Sequence, residues 1–581
     1  MRDKKDIVAE AYGRLRIWRD ANKEIHERAR EARRILLLQD PKQDAETRGR
    51  RKDKRTLQLQ TLKSTFNNCI ADQMDNMPEA LMLPETSDLQ PVAEDMTDVV
   101  RYILAQNDYE SMHRKRCEDC FATGTAVTQV VWDEDMSGGR GEVAVLRWPV
   151  EAFLWDPAAE NIQDARAVFK VSWHPMSWYE MHYPDKYEDI GSDEGEFNML
   201  GMPEAQDKQS ADEDKAMLIE YWYRMYNAKT RRHTVNVAYI AGGVLLDQAE
   251  DVYTHGMYPF TLDVFTPIEG LPVGDGLVQE LAPMMRYINR YASYIDMNLR
   301  MASKGRLLVD RNAGIDKDAL TDWETDIVEG DRIDASALQW MQTQPFTGMV
   351  TQQMVQLQTD LKQDSGQNQF TRGETAGGIT AASAISALQE AGGKITRLRT
   401  AVLNHGFRSI VTQIMWLVSQ FYDERRTLLV TGARAGQMRE VSAAPKHLFG
   451  ERKGHLPPPY TVQVQVQRRN PLRQQAQNEL IMQAFTMSAQ SGQNFPLSAL
   501  FELLQVDGKE RIVPLLYENE TYHQQMQQMQ QQTQQMQQQI VEMQATIDGL
   551  QKLNQQYAEG MQSTMYKDVE VTNNVLPEGV V

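Results

Sequence analysis

The feature that most limits the fold is an amphipathic helix in mid-chain, followed by a short excursion and a second helix. Gly274-Asp275-Gly276 leads into LVQELAPMMRYINRYASYIDMNLRMA, residues 277–302. Apolar side chains recur at Leu277, Leu281, Met284, Ile288, Tyr291, Ile295, Leu299 and Ala302. Steps of three and four place them on one face of a helix. The strand-like GRLLVDRNAG and a compact mixed stretch follow, then a second helical run over 347–364. The glycine-rich GQNQFTRGETAGG leads on into another long helix, in which Gly392-Gly393 predicts a kink. Two long helices that run out and back, with a small module at the tip, pack poorly as a lone globule. They suit one sector of a ring, and helices along a ring's axis enclose a channel.

A second periodic signal closes the chain. Tyr522, Met526, Met529, Thr533, Met536, Ile540, Met543, Ile547, Leu550, Asn554, Tyr557 and Met561 step by four and three without a break. This is a heptad pattern, expected to form a coiled coil or helical barrel. Residues 524–539 are mostly glutamine. Glutamine favours helix but carries no charge, so flanking positions cannot sort partners by salt bridges. Self-association of identical chains is the natural use; a disordered glutamine-rich tail is the alternative.

Residues 1 to about 110 read as helix, with Tyr12, Leu15 and Trp18, then Leu59, Leu62, Phe66 and Ile70, at helical spacing. The basic run TRGRRKDKR, residues 47–55, is either a contact for DNA or an acidic partner, or a solvated face. From Thr125 the period becomes two. AVTQVVWDED and GEVAVLRWPVEAFLWDP read as strands joined by a hairpin at MSGGR. VFKVSWHP, MLIEYWYRMY and HTVNVAYIAGGVLLD continue the β pattern, and the acidic stretch 189–214 reads as a mobile insertion. After Asp275 the chain is mostly helical, with one further strand, YTVQVQVQ, behind Pro457–Pro459. The fold class is α+β, mainly helical.

The 581 residues suggest about four domains of ordinary size. A net charge of −19 argues against wrapping DNA tightly, which needs clustered Lys and Arg, but allows DNA to pass without sticking. Three cysteines, Cys69, Cys117 and Cys120, are too few for a disulfide framework and point to a reducing origin. The N-terminus lacks the apolar core of a signal peptide, and no apolar run approaches the ~18 residues of a membrane span. A soluble, unsecreted chain with no membrane contact is expected. No P-loop, H-E-x-x-H or dinucleotide fingerprint occurs. Cys117-Glu118-Asp119-Cys120, with His113 one turn earlier, could face one way, but no second pair completes a zinc site. Packed core cysteines are the favoured reading. His174 and His182, within WHPMSWYEMHYP, likewise look structural. No enzyme, cofactor or metal site is expected.

The order of these parts resembles the portal proteins of tailed double-stranded-DNA phages, especially the short-tailed type. The resemblance rests on the glycine-led helix with Tyr287-Ile288-Asn289 and Asn298, and on TAASAISALQEAG, residues 380–392. FLWDPAAENIQDARAVFKVSWHPMSWYEMHYP resembles the family's "DP…D" strand region, and the heptad tail resembles the barrel of some short-tailed phage portals. Asp275 stands where Ser is common; either can cap a helix N-terminus.

The resemblance implies a ring, typically of twelve subunits, at one capsid vertex of the virion, assembled in the host cytoplasm. It divides the chain into a wing over 1–273 and stem helices over 274–303 and 346–364. Residues 304–345 form a clip and 365–378 a tunnel loop. A wing return spans 379–470, a crown 471–520, a helical barrel 521–565 and a tail 566–581. Implied partners are double-stranded DNA, the terminase large subunit, the capsid protein and tail adaptor proteins. Lys304, Arg306, Lys362, Gln367, Gln369 and Arg372 are expected to face DNA in the channel. Arg311, Asn312, Asp316 and Lys317 are expected to dock the motor or adaptors. Met526, Met536, Ile540, Met543, Ile547 and Leu550 are expected to join the barrel. A coiled-coil scaffold without a channel, or an enzyme with a dispersed site, is the alternative; closed rings or nucleotide turnover would separate them.

Overall fold

Alternation of apolar and polar residues after Thr125 produces two antiparallel sheets, and the helical segments pack on them. The computed structural model describes residues 4–40, 42, 58–191, 215–227, 231–303, 306–316, 318–319, 327, 329–331, 338–341, 348–367, 393–422, 426–431, 438–450, 457–468, 471–490, 500–501, 503–504, 516, 529 and 531–557. The basic run 47–55 and most of the acidic stretch, 192–214, lie outside these residues. The described chain falls into two compact units, one of residues 1–430 and 440–469, the other of 431–439 and 470–581.

A short strand β1 (Asn76–Pro84) comes first in the chain. The first larger sheet joins β2 (Thr125–Asp133), β3 (Glu142–Trp148) and β9 (Phe260–Val264) in the order β3-β2-β9. The β2–β3 hairpin turns at Met136–Gly139, where Ser137 and Gly138 take positive φ, as the paired glycines predict. The second has the order β4-β5-β6-β7-β8: Phe153–Trp155, Ala167–Pro175, Lys215–Asn227, Arg232–Ala241 and Val244–Ala249. The stretch 141–157, expected as one strand, is broken by Pro149, and its parts enter different sheets. Proline cannot donate to a ladder, so the chain changes sheets there.

Helix α1 (Lys4–Leu36) buries Ile7, Ala11, Leu15 and Trp18 against Phe169, Tyr221 and their neighbours on the five-stranded sheet. Trp18 meets Phe169 edge-on with ring centroids 5.3 Å apart. Helices α2 (Thr61–Met74), α3 (Gln90–Gln106) and α4 (Tyr109–Thr123) follow. The helical reading of residues 1–110 fails at β1, which pairs antiparallel with β16 (Tyr460–Arg468). NMPEALMLP has no β-branched residue, so local propensity conceals a strand that only a distant partner creates. In β16 the valines turn inward: Val462 is buried, and Val464 half-buried.

Helices α5 (Leu277–Ser303), α6 (Gly348–Asp364) and α7 (Lys394–Phe421) form the second half of this unit, and α8 (Pro471–Gln490) lies in the other unit. Gly393 sits at the start of α7, so the described helix begins where a kink was expected; residues 378–392 lie outside the described residues. Helix α7 buries Phe407, Ile410, Val411, Ile414 and Leu417. Each such side chain contributes roughly 1.5–3 kcal/mol relative to exposure.

A fully buried ion pair ties these layers together. Arg116 on α4 grips Asp263 on β9 with two hydrogen bonds, one of them from Nη2 at 2.6 Å. Nη1 donates to the Tyr109 hydroxyl at 2.8 Å, and Nη2 also donates to the Leu403 carbonyl of α7 at 2.6 Å. Burial opposes the guanidinium charge, but Asp263 and Tyr109 outweigh it and raise its pKa. Helix α7 comes this close because residue 406 is glycine: a Cβ there would overlap the Asp263 carboxylate.

Asp263→Ala leaves Arg116 charged and unpaired in the core. We expect a loss of roughly 3–5 kcal/mol in denaturant unfolding. The double replacement Arg116→Met/Asp263→Leu should lose much less, because no buried charge is orphaned.

Candidate functional site: the paired helices and their roots

The α4–β2 turn and the start of α5 meet through glycine backbone. Gly124 ends α4 with φ +82°, and a Cβ there would overlap the Gly274 carbonyl. Asp275 does not cap α5. Its carboxylate pairs with Arg28 of α1, while the Gly276 N–H donates to the Gln279 side chain at 2.6 Å. That is the returning half of a capping box, and it frees Asp275 to anchor α5 to α1. About two turns beyond Gln279, Arg286 holds Asp40 at 2.7 Å and Glu31 at 2.5 Å. Asn289 accepts from the Leu59 N–H at 2.9 Å.

Burial then fades along α5. Leu277, Leu281, Met285 and Ile288 lie in a core with Leu361 of α6. Tyr294, Met297 and Leu299 are exposed, the last at 60%. On α6, Met349 and Val355 are exposed and Leu361 is buried. The predicted stripe is therefore covered near the sheets and bare towards the tip. At the tip, β12 (Arg306–Val309) pairs with β13 (Leu338–Met341). Ala313 and Ile315 pack on Val309 and Leu338. Arg311, Asn312 and Asp316 are exposed beside them; Lys304 and Lys317 lie outside the described residues.

Lys362 is half-buried in the last turn of α6, where a cation complements the helix dipole. The helix ends in a Schellman motif: the Gly366 N–H donates to Gln363 O at 2.8 Å and the Gln367 N–H to Lys362 O at 2.9 Å. Gly366 takes φ +78°. Gln367, expected to offer its amide to DNA, is instead buried, and its Nε2 donates to Asp72 of α2 at 2.7 Å. The carboxylate is a stronger acceptor in a part-buried site than a solvent-facing position would supply. Gln369 and Arg372 lie outside the described residues. Sequence reasoning missed Asp72, Arg28 and Arg286, because nothing local marks a polar residue whose partner is hundreds of positions away.

In the C-terminal unit, residues 531–557 are helical. Met536, Ile540, Met543, Ile547 and Leu550 are each more than half exposed. Met526 lies outside the described residues.

The C-x-x-C pair is core. Cys117 and Cys120 are buried, with the His113 Nε2 3.6 Å from the Cys117 sulfur. Burial pushes the Cys117 thiol up to about 12 and His113 down to about 3, so both are neutral. His174 and His182 both stack on Trp178, with ring centroids 4.1 and 4.2 Å away. Among the described residues no group of three or more His, Cys, Asp or Glu could hold a metal ion, and no helix is long and apolar enough to cross a membrane.

A sequence model of the phage P22-like portal protein family matches residues 12–561. No curated protein matches the chain.

Gly124→Ala forces a Cβ into the Gly274 carbonyl and strains a left-handed residue, a cost on the order of 1–3 kcal/mol. Its melting temperature should fall, and hydrogen exchange should quicken first in the opening turn of α5. Gly13→Ala, inside α1 where a Cβ meets nothing, should melt at or above the parent temperature, since Ala favours a helix interior by roughly 0.5–1 kcal/mol.

Proposed function

The chain belongs to the phage P22-like portal protein family, and from that membership we propose that it is one subunit of a DNA-conducting ring. The ring holds twelve copies, sits at one capsid vertex, and joins head to tail. The terminase large subunit drives double-stranded DNA through it during packaging, and tail adaptors dock on it before ejection. In this reading 1–273 and 379–470 form the wing, α5 and α6 the stem, 304–345 the clip, 365–378 the tunnel loop, 471–520 the crown and 521–565 the barrel.

The observation that carries the proposal is the α5–α6 pair, rooted in the core and bare towards its tip, in a chain the family matches over 12–561. Exposed apolar surface of this kind marks an interaction face, and neighbouring copies in a ring would cover it. The bare heptad face of 531–557 suits the same arrangement. A net charge of −19 suits a channel through which a polyanion slides, since a strongly basic lining would hold it. Lys304, Arg306, Lys362, Gln369 and Arg372 then supply sparse, sequence-independent contacts. Gln367 is excluded by its bond to Asp72. Arg311, Asn312, Asp316 and Lys317 remain the docking candidates on the clip.

Purified protein should form rings with a central hole in negative-stain microscopy without added nucleotide. A stable monomer, or a small coiled-coil rod, would sink the reading. Replacing Ile540, Ile547 and Leu550 with Asp should abolish helicity of the 531–557 segment while rings persist, because buried charge on a heptad seam is costly. Arg372→Glu should leave ring assembly intact and reduce the full-length DNA held in assembled heads.

A further inference from the structure

Helix α2 offers one face, Cys69, Asp72 and Gln73, to two segments that lie far apart in sequence. The first is the end of α6, Ser365–Gln367; the second is the start of α7, Thr396–Thr400. Asp72 accepts from the Gln367 Nε2 at 2.7 Å, and the nearby Thr396 hydroxyl also favours its charged form. Gln73 accepts from the Thr400 hydroxyl at 3.0 Å. The Cys69 sulfur lies beneath both: Arg399 Nη1 is 3.3 Å away, the Ser365 carbonyl 3.7 Å and the Gln367 Nε2 3.8 Å.

The two roots also touch each other. A Cβ at Gly366 would lie 3.0 Å from the Ile395 side chain and crowd it, so glycine eases the close approach of the end of α6 and the start of α7. The left-handed φ of Gly366 then aims Gln367 down at α2. Adjacent side chains of α2 thus receive a donor from each root, Asp72 from Gln367 and Gln73 from Thr400, so both roots depend on one short stretch of α2. Burial raises the Asp72 pKa, and the Gln367 hydrogen bond offsets that only in part.

We propose that Asp72 is a positioning residue: a clasp that fixes where the chain between Gln367 and Thr396 leaves and rejoins the helical body. That chain includes Gln369 and Arg372, assigned above to DNA contact, so the functional part of the inference rests on the portal reading. Fixing both ends of a long segment removes most of the freedom of its roots. Each subunit would then present the segment from the same place. Asp72 touches no DNA; it acts through Gln367 and Thr396.

Cys69 reports the clasp directly, since it is covered by the residues the clasp holds. The test is alkylation of the purified full chain by iodoacetamide at constant pH, with each cysteine followed by peptide mass spectrometry. Asp72→Ala should raise the Cys69 rate about tenfold, the effect of losing one charge-assisted hydrogen bond, while Cys117 and Cys120 stay protected. Unchanged Cys69 reactivity overturns the clasp. If all three cysteines react faster, the variant has loosened globally, and Thr396→Val and Gln367→Leu decide. A rise at Cys69 alone in either supports the clasp; parental rates, or a uniform rise in both, overturn it. In assembled heads, Asp72→Ala should keep rings and lower the retained full-length DNA. Selective Cys69 exposure with normal DNA content would overturn the positioning role and leave the portal reading intact. Failure of the parent chain to form rings would remove the portal reading while the alkylation result still judges the clasp.

Discussion

Everything else in the larger unit is arranged around the buried pair of Arg116 and Asp263. A guanidinium with no exposure is tolerable only if its donors are met, and they are met from three directions: β9, the Tyr109 hydroxyl and the Leu403 carbonyl. Helix α4, strand β9 and helix α7 must therefore stand in one geometry. The pair also lies between two hydrophobic clusters, since Leu403 packs with Cys117, Leu281 and Leu361, while Phe407 and Ile410 pack with Val99 and Phe260. Such a pair adds little net stability over apolar packing. What it imposes is register: α7 cannot slide or rotate without stranding a charge.

From that centre, charge pairs carry the order outward to the helix pair. Asp119, one turn after Arg116, receives Arg147 of β3 and Arg33 of α1, and Arg33 continues to Glu151 at 3.0 Å. Helix α1 passes the constraint to α5 through Arg28–Asp275 and through Glu31, which binds Arg286. The root of α5 is thus held by several charge-assisted bonds, and its distal part by few contacts. Stability that falls along an element concentrates motion and association at its free end. For a subunit that must meet its neighbours, that is where uncovered apolar surface is useful.

Much of the architecture is legible in the residue pattern because it depends on local periodicity. The three-four steps of α5, the alternation in β2, β3 and β5–β7, and the glycine turn at 138–139 all appear where the pattern puts them. The heptad tail is helical over 531–557 for the same reason. What the pattern misses is pairing across distance. Strand β1 has the composition of a helix and is extended only because β16 lies beside it. Asp275 looks like a cap and acts as a tether, because Arg28 is within reach and Gln279 already serves the free N–H.

The sequence by itself determined most of the element types, the absence of the familiar nucleotide and metal motifs, and the likeness to portal proteins that the family match bears out over 12–561. These follow from short-range steric and hydrophobic rules that read the same in any context. Tertiary structure alone decided which polar residues work and which are spent. Gln367 sits in a loop that reads as solvent-facing, yet it is buried on Asp72 of a helix almost three hundred residues earlier. Arg116 sits in a charged run, MHRKRCED, and is its one basic side chain, among Arg114, Lys115 and Arg116, that goes fully inside. Neither choice is written in neighbouring residues, because a buried polar group is governed by the partner that satisfies it, and that partner arrives only when the chain has folded.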